Sequence, residues 1–253
     1  MSPTSYLAAP PRRTNLQSCR AGDNLVSKHP HVTKGAPGCW NSPMVDHFPA
    51  VAEERRRIAD FLDGLSDEQW NTASCCSEWT VAHVAAHLLV GPLKGITGSL
   101  PATIQARGNL DKANTIGAEA IIDEVGRDGL SAKLREVANH RFKVPFLGSE
   151  GVLIDVTLHG QDMARPLGID LAVPAERWLP SLEAATHPKY AIVSARKHLK
   201  GLAFEATDLS FSAGDGPAVT GSAKDLAHAM WGRADAVSAL EGKGVDALRE
   251  RLR

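Results

Sequence analysis

Residues 155–162 read Asp155-Val-Thr-Leu-His159-Gly-Gln-Asp162. Intervals of four and three place the three ionisable side chains on one stripe of an α-helix, which turns about 100° per residue. A carboxylate and an imidazole one turn apart can grip the same divalent cation, with oxygen and nitrogen donors about 2 Å from it. Upstream, Trp79-Thr-Val-Ala-His83-Val-Ala-Ala-His87-Leu-Leu-Val carries two more histidines four apart. Ligands projecting inward from facing helices are one way of building a metal centre in a bundle. The same spacing also suits surface or hydrogen-bonded core histidines, and the residues alone leave both readings open. Glu136/His140, Glu183/His187 and Asp225/His228 repeat the acid–imidazole pattern without a second histidine close in sequence, and His198 lacks even the acid. These four histidines read as structural.

Around this core the periodicity predicts four helices. The first runs from about Asp46 to Leu65, with Val51, Ile58, Phe61, Leu62 and Leu65 inward and Glu53 to Arg57 as a solvated face. The second covers Trp79 to Val90, capped by Thr80 and stopped by Gly91-Pro92. A third spans about Asp111 to Val125 and resumes after Gly129, capped by Ser131, as far as His140. The fourth covers about Ser149 to Ala164 and ends at Pro166 and Gly168. After residue 170 the pattern changes. Leu202–Thr207 and Leu209–Ser212 alternate as half-buried strands, Asp215-Gly216 is a hairpin signal, and Ala218–Thr220 is a returning strand. Helices at about Ser222–Trp231 and Val245–Leu252 complete the chain. The expected fold class is α+β, mainly α: a helical bundle over 46–170, then a small α+β unit over 171–253. Residues 1–45 hold 6 of the 15 prolines and five basic residues against one acid, and read as a disordered extension.

Composition narrows the function. The chain has 253 residues, 43% of them apolar and 23% charged, ordinary values for a soluble globular protein. Its 28 basic and 29 acidic side chains give a net charge of −1, so no global field recruits nucleic acid or anionic lipid. The uncharged run from Trp79 to Leu93 falls short of the ~20 residues of a membrane span. Cys19, Cys39, Cys75 and Cys76 fit neither a zinc ribbon nor a disulfide framework. With no secretory signal at the N-terminus, a reducing cytoplasm is expected. Cys76 and Trp79 read as packing residues at the start of the second helix, and Arg165 as a charge at a helix end.

Three stretches together resemble a known family. WTVAHVAAHL (79–88) is similar to the second-helix motif of the DinB-like metal-binding four-helix bundle, in the branch of mycothiol-dependent maleylpyruvate isomerase. DVTLHGQDMARPLG (155–168) resembles that branch's last-helix motif. The tail from Gly201 to Arg233, followed by LEGKGVDALRERL, resembles its C-terminal domain in order and spacing. The resemblance implies a divalent, zinc-type centre held by His87, Asp155 and His159, with Asp155 standing where the isomerase commonly has glutamate. His83 and Asp162 are implied as supporting residues beside the ligands, and Arg233 matches the family's C-terminal arginine linked to activity. It further implies mycothiol, a low-molecular-weight thiol, attacking a small electrophile, as isomerase or S-transferase. A DinB-like protein that binds metal or a small ligand without turnover is the alternative.

Overall fold

The computed structural model describes residues 45–76, 78–187 and 197–253, so the expected extension before residue 45 lies outside the described residues. The described residues form one compact unit. The first half is helical: α1 (Phe48–Asp63), α2 (Asp67–Trp70), α3 (Val81–Gly98), α4 (Leu100–Gln105), α5 (Leu110–Val125), α6 (Leu130–Glu136) and α7 (Gly148–Ala164). Four of these are long, as the periodicity predicts, but the assembly is no clear four-helix bundle. The short α6 packs on α1, and α3 lies between α5 and α7.

Local chemistry explains most of the boundaries. Pro49 begins α1, where a missing N–H costs nothing. Ser66 and Gln69 close a capping box at α2. Asn109 caps α5 by accepting from the Lys112 N–H at 3.0 Å. Gly126, at φ +75°, breaks the chain between α5 and α6. Gly168, at φ +69°, closes the turn after α7.

Two local expectations fail. Gly91-Pro92 does not stop α3, which runs on to Gly98 with Pro92 inside it and a non-helical residue at Gly95. Proline forfeits one ladder bond and introduces a kink, and here the chain continues past it. Ser131 does not cap α6 either, because the N-cap residue is Gly129 and Ser131 lies one position inside the helix.

After α7 come α8 (Leu179–Thr186), β1 (Ala203–Ala206), β2 (Ser212–Gly214), β3 (Ala218–Gly221), α9 (Ala223–Met230) and α10 (Val245–Arg251). The sheet order is β2-β1-β3, with β2 antiparallel and β3 parallel to β1. Asp215-Gly216 therefore does not close a hairpin between paired strands. The turn instead crosses the start of β1, and a Cβ at Gly216 would stand 2.3 Å from the Gly201 carbonyl oxygen. Alternation identifies a strand but not its neighbour, and β3 is held on its far edge by Glu241, which exchanges two 2.8 Å bonds with Thr220.

Two apolar clusters fill the unit. One gathers Val51, Ile58 and Leu62 of α1, Val84 and Leu89 of α3, Ile121 of α5 and Leu134 of α6. The other gathers Trp178, Leu182, Phe204, Val219, Leu226 and Leu248. Helix α7 feeds both, with Val152, Val156 and Met163 turned to the first and Ile154 and Leu158 to the second. Twelve of its residues are buried. The expected solvated face of α1 is a further correction: Glu54 and Arg55 are each only 1% exposed.

Candidate metal centre

The turn before α3 is tied to the last turn of α7, where the Cys75 N–H donates to the Asp162 carbonyl at 3.0 Å. Helix α3 thus starts where α7 finishes, and the two run side by side in opposite senses. His87, two turns into α3, consequently faces Asp155 and His159 on α7. Asp155 Oδ1 stands 3.6 Å from His87 Nε2 and 3.5 Å from His159 Nε2, and the three donor atoms all lie within 4.8 Å of one another. Donors about 2.1 Å from a tetrahedral ion are separated by about 3.4 Å along each edge. Asp155 Oδ1 therefore stands from each nitrogen at about the spacing of two donors to a shared cation. With three protein donors, at least one position of such an ion stays open.

The two histidines are held by different means. His159 Nδ1 lies 3.0 Å from Asp162 Oδ2. An ionised carboxylate only accepts, so Nδ1 carries a proton, and this bond turns the opposite ring nitrogen, Nε2, toward Asp155 and His87. His87 Nδ1, in contrast, is buried with no hydrogen-bond partner among the described residues. Its ring is set by packing, 5.1 Å from the indole of Trp79 and 5.1 Å, edge-on, from His159. Trp79 is anchored in turn by its Nε1–H, which donates to Thr115 Oγ1 at 3.0 Å. Sequence reading took Trp79 for core packing and missed that it walls the histidine pair. The signal was its position eight residues before His87.

Asp162 is the hub behind the cluster. Its side chain is fully buried. The Arg233 guanidinium grips both of its oxygens, Nε at 3.0 Å and Nη2 at 2.5 Å, in the fork-to-fork geometry that suits this pair. Burial pulls against ionisation, but Arg233 and His159 hold the Asp162 carboxyl far below the usual carboxylate range. Burial likewise opposes a charged His159, yet its hydrogen bonds with Asp162 and Cys76 carry the imidazole up to about 10. His159 is therefore protonated at neutral pH, and a divalent ion at Nε2 would have to displace that proton. Asp155, only partly enclosed, follows the same logic: the loss of water around it disfavours its charge, while His87, His159 and the Arg55 guanidinium keep it below the ordinary value.

Each expected residue can now be placed. His87, Asp155 and His159 converge, and Asp162 supports His159 from behind. His83 does not join them, because its Nδ1 accepts from the Thr80 backbone N–H at 3.4 Å and lies 2.8 Å from Thr80 Oγ1, closing the start of α3. Arg233 reaches the site only through Asp162, and its Nη1 donates to the Trp231 carbonyl at 2.9 Å. Arg165 does more than end a helix, since it bridges Asp225 at 2.8 Å and Asp235 at 2.6 Å. Cys76, Asp162 and His159 make a second cluster at ligand spacing. Both oxygens of Asp162 already face a guanidinium, which is hostile to a second cation.

Residues 51–144 match the mycothiol maleylpyruvate isomerase N-terminal domain, a match that includes His87 and stops short of α7. A search of curated protein sequences finds no match. Among solved structures, the fold is shared with the crystal structure of the mycothiol-dependent maleylpyruvate isomerase, at 15% identity and a TM-score of 0.50 over 80% of this chain and 94% of that one. A histidine-to-alanine mutant of that isomerase matches at 14% identity with the same coverage and TM-score. No helix among the described residues is long and apolar enough to cross a membrane.

Proposed function

Because residues 51–144 match the mycothiol maleylpyruvate isomerase N-terminal domain and the fold is shared with that isomerase, we propose that this chain is a metal-dependent enzyme of the same type. It activates a low-molecular-weight thiol, mycothiol by family, for attack on a small electrophile in the cytoplasm. The observation that carries this reading is the convergence of His87 Nε2, Asp155 Oδ1 and His159 Nε2. A divalent ion held there, zinc by the family resemblance since two histidines and a carboxylate suit several metals, would supply the positive charge that favours thiolate over thiol at neutral pH. Asp155, 37% exposed, opens the cluster toward solvent, whereas His87 and His159 are 15% and 17% exposed. Trp79 keeps bulk water from one side of the histidine pair. Asp162 fixes the tautomer of His159, and Arg233 fixes Asp162. Addition of the thiolate to a cis double bond, rotation and elimination returns the thiol with a trans product. Displacement of a leaving group gives a thioether instead, which is the S-transferase outcome.

One observation favours a second reading, a metal or ligand binder without turnover. Both arms of Arg233 are committed to Asp162 and the Trp231 carbonyl, leaving no evident fork for a substrate carboxylate. The experiment is elemental analysis of the purified protein combined with a screen for mycothiol consumption across a panel of electrophiles. The expected result is about one divalent ion per chain and chelator-sensitive consumption of thiol, both lost in His87→Ala and His159→Ala. Metal retained without consumption by any electrophile selects the binder. Metal and activity retained in both variants overturns the proposal.

A further inference from the structure

Cys76 sits beside the histidine–carboxylate pair in a position the sequence reading assigned to packing. Its Sγ lies 3.1 Å from Asp162 Oδ2 and 3.5 Å from His159 Nδ1. Asp162 Oδ2 is thus approached by three donors at once: the thiol, the imidazole at 3.0 Å and the guanidinium at 2.5 Å. The backbone around the cysteine is fixed independently of the side chain. The Cys76 N–H donates to Ser74 Oγ at 3.1 Å, the Trp79 N–H donates to the Cys76 carbonyl at 3.1 Å, and the neighbouring Cys75 N–H is tied to Asp162 of α7. The thiol is therefore carried to Asp162 by a turn anchored on both α3 and α7.

We infer that Cys76 is a positioning residue of the metal centre: its S–H donates to Asp162 Oδ2, and the pair holds the His159 ring with Nε2 turned toward His87 and Asp155, without the sulfur itself ligating an ion. Three features separate this role from ligation. The sulfur faces Nδ1 of His159, the nitrogen opposite the one that meets Asp155. Its carboxylate neighbour is neutralised by Arg233, so the second cluster offers little attraction for a cation. A neutral S–H adds a donor without adding charge, so it orients Asp162 without competing with the guanidinium. Partners of this kind behind a ligating histidine typically change metal affinity by about 10–100-fold when removed.

This inference rests on the metal reading above, and the test separates the two. Zinc affinity is measured by competition with a chromophoric chelator for the unaltered protein, Cys76→Ser and Cys76→Ala, and each is then loaded with cobalt(II) for its absorption spectrum. The expected result is that Cys76→Ala weakens binding about tenfold or more and shifts the cobalt visible bands. Cys76→Ser, whose O–H still donates, stays within about threefold of the unaltered protein on the same scale. No sulfur-to-cobalt charge-transfer band appears in any of the three. Equal affinity for Cys76→Ala and the unaltered protein overturns the inference. So does equal loss in both variants, and so does a sulfur band that vanishes in Cys76→Ser, which makes Cys76 a ligand. If the unaltered protein binds no zinc, the metal reading fails, and the inference goes with it.

Discussion

At the scale of single residues, Arg55 shows how environment overrides residue type. It lies in a run of five charged residues, Glu53 to Arg57, that any sequence reading assigns to solvent. In the structure its Nη1 donates to the carbonyls of Val137 at 3.1 Å, Ala138 at 3.3 Å and His140 at 2.9 Å, capping the chain as it leaves α6. Burial draws the guanidinium down to about 10, opposed by the charge of Asp155, so it remains a cation at neutral pH. Replacing it by methionine strips that donor from the Ala138 and His140 carbonyls, while Val137 keeps only the His140 N–H, and removes a buried positive charge that helps keep Asp155 ionised. The expected loss is about 2–4 kcal/mol, read as a lowered urea midpoint. Arg56→Met, one position along and exposed, should cost less than about 1 kcal/mol. What the sequence did show at this scale was the stripe of Asp155, His159 and Asp162, because helical spacing is local. The partners of that stripe were not legible. Arg233 lies 71 residues from Asp162, and no local pattern joins a guanidinium to a carboxylate over such a distance.

Among the elements, the close approach of α7 to α1 is set by Gly160. A Cβ there would stand 3.2 Å from both Ile58 Cδ1 and Leu171 Cδ1, tighter than ordinary contact. Gly160→Val should therefore push the helices apart and cost about 2 kcal/mol or more, with the melting temperature falling and zinc affinity dropping, because His159 is the adjacent residue. Gly117→Ala makes the contrast. It also lies inside a helix, but its Cβ would rest 3.4 Å from Val90, an ordinary contact, so the same thermal assay should show no loss or a gain of up to about 1 kcal/mol. The four long helices were legible because each has an apolar stripe of the right period. The short ones were not. Helix α4, none of whose residues is buried, has no such stripe, and the Gly- and Pro-punctuated stretch around it gives contradictory signals. The strands were legible as strands, and the parallel pairing of β3 with β1 was not, since it depends on what covers the far edge of β3.

For the whole molecule, acid sensitivity should have an identifiable source. His228 is fully buried on α9, its ring edge-on to Trp178 at 5.5 Å, and neither ring nitrogen has a hydrogen-bond partner among the described residues. Burial pushes its imidazole down from 6.5 to about 4. The unfolded chain therefore takes up this proton first as the pH falls. Stability from this group is complete above about pH 6.5 and is lost progressively down to about pH 4, a change of about 3 kcal/mol. Urea unfolding followed across that window should show the loss, and His228→Leu should flatten it.

Helix α7 gives one face to each apolar cluster while carrying Asp155, His159 and Asp162 along its length. A recombinant fragment cut after residue 170 would keep His87, Asp155 and His159 and still be crippled. It would present Ile154 and Leu158 as bare greasy surface, strand Arg165 without its two aspartates, and leave the Asp162 carboxylate with no guanidinium to neutralise it. Expression trials should therefore carry the chain through to its C-terminal residues.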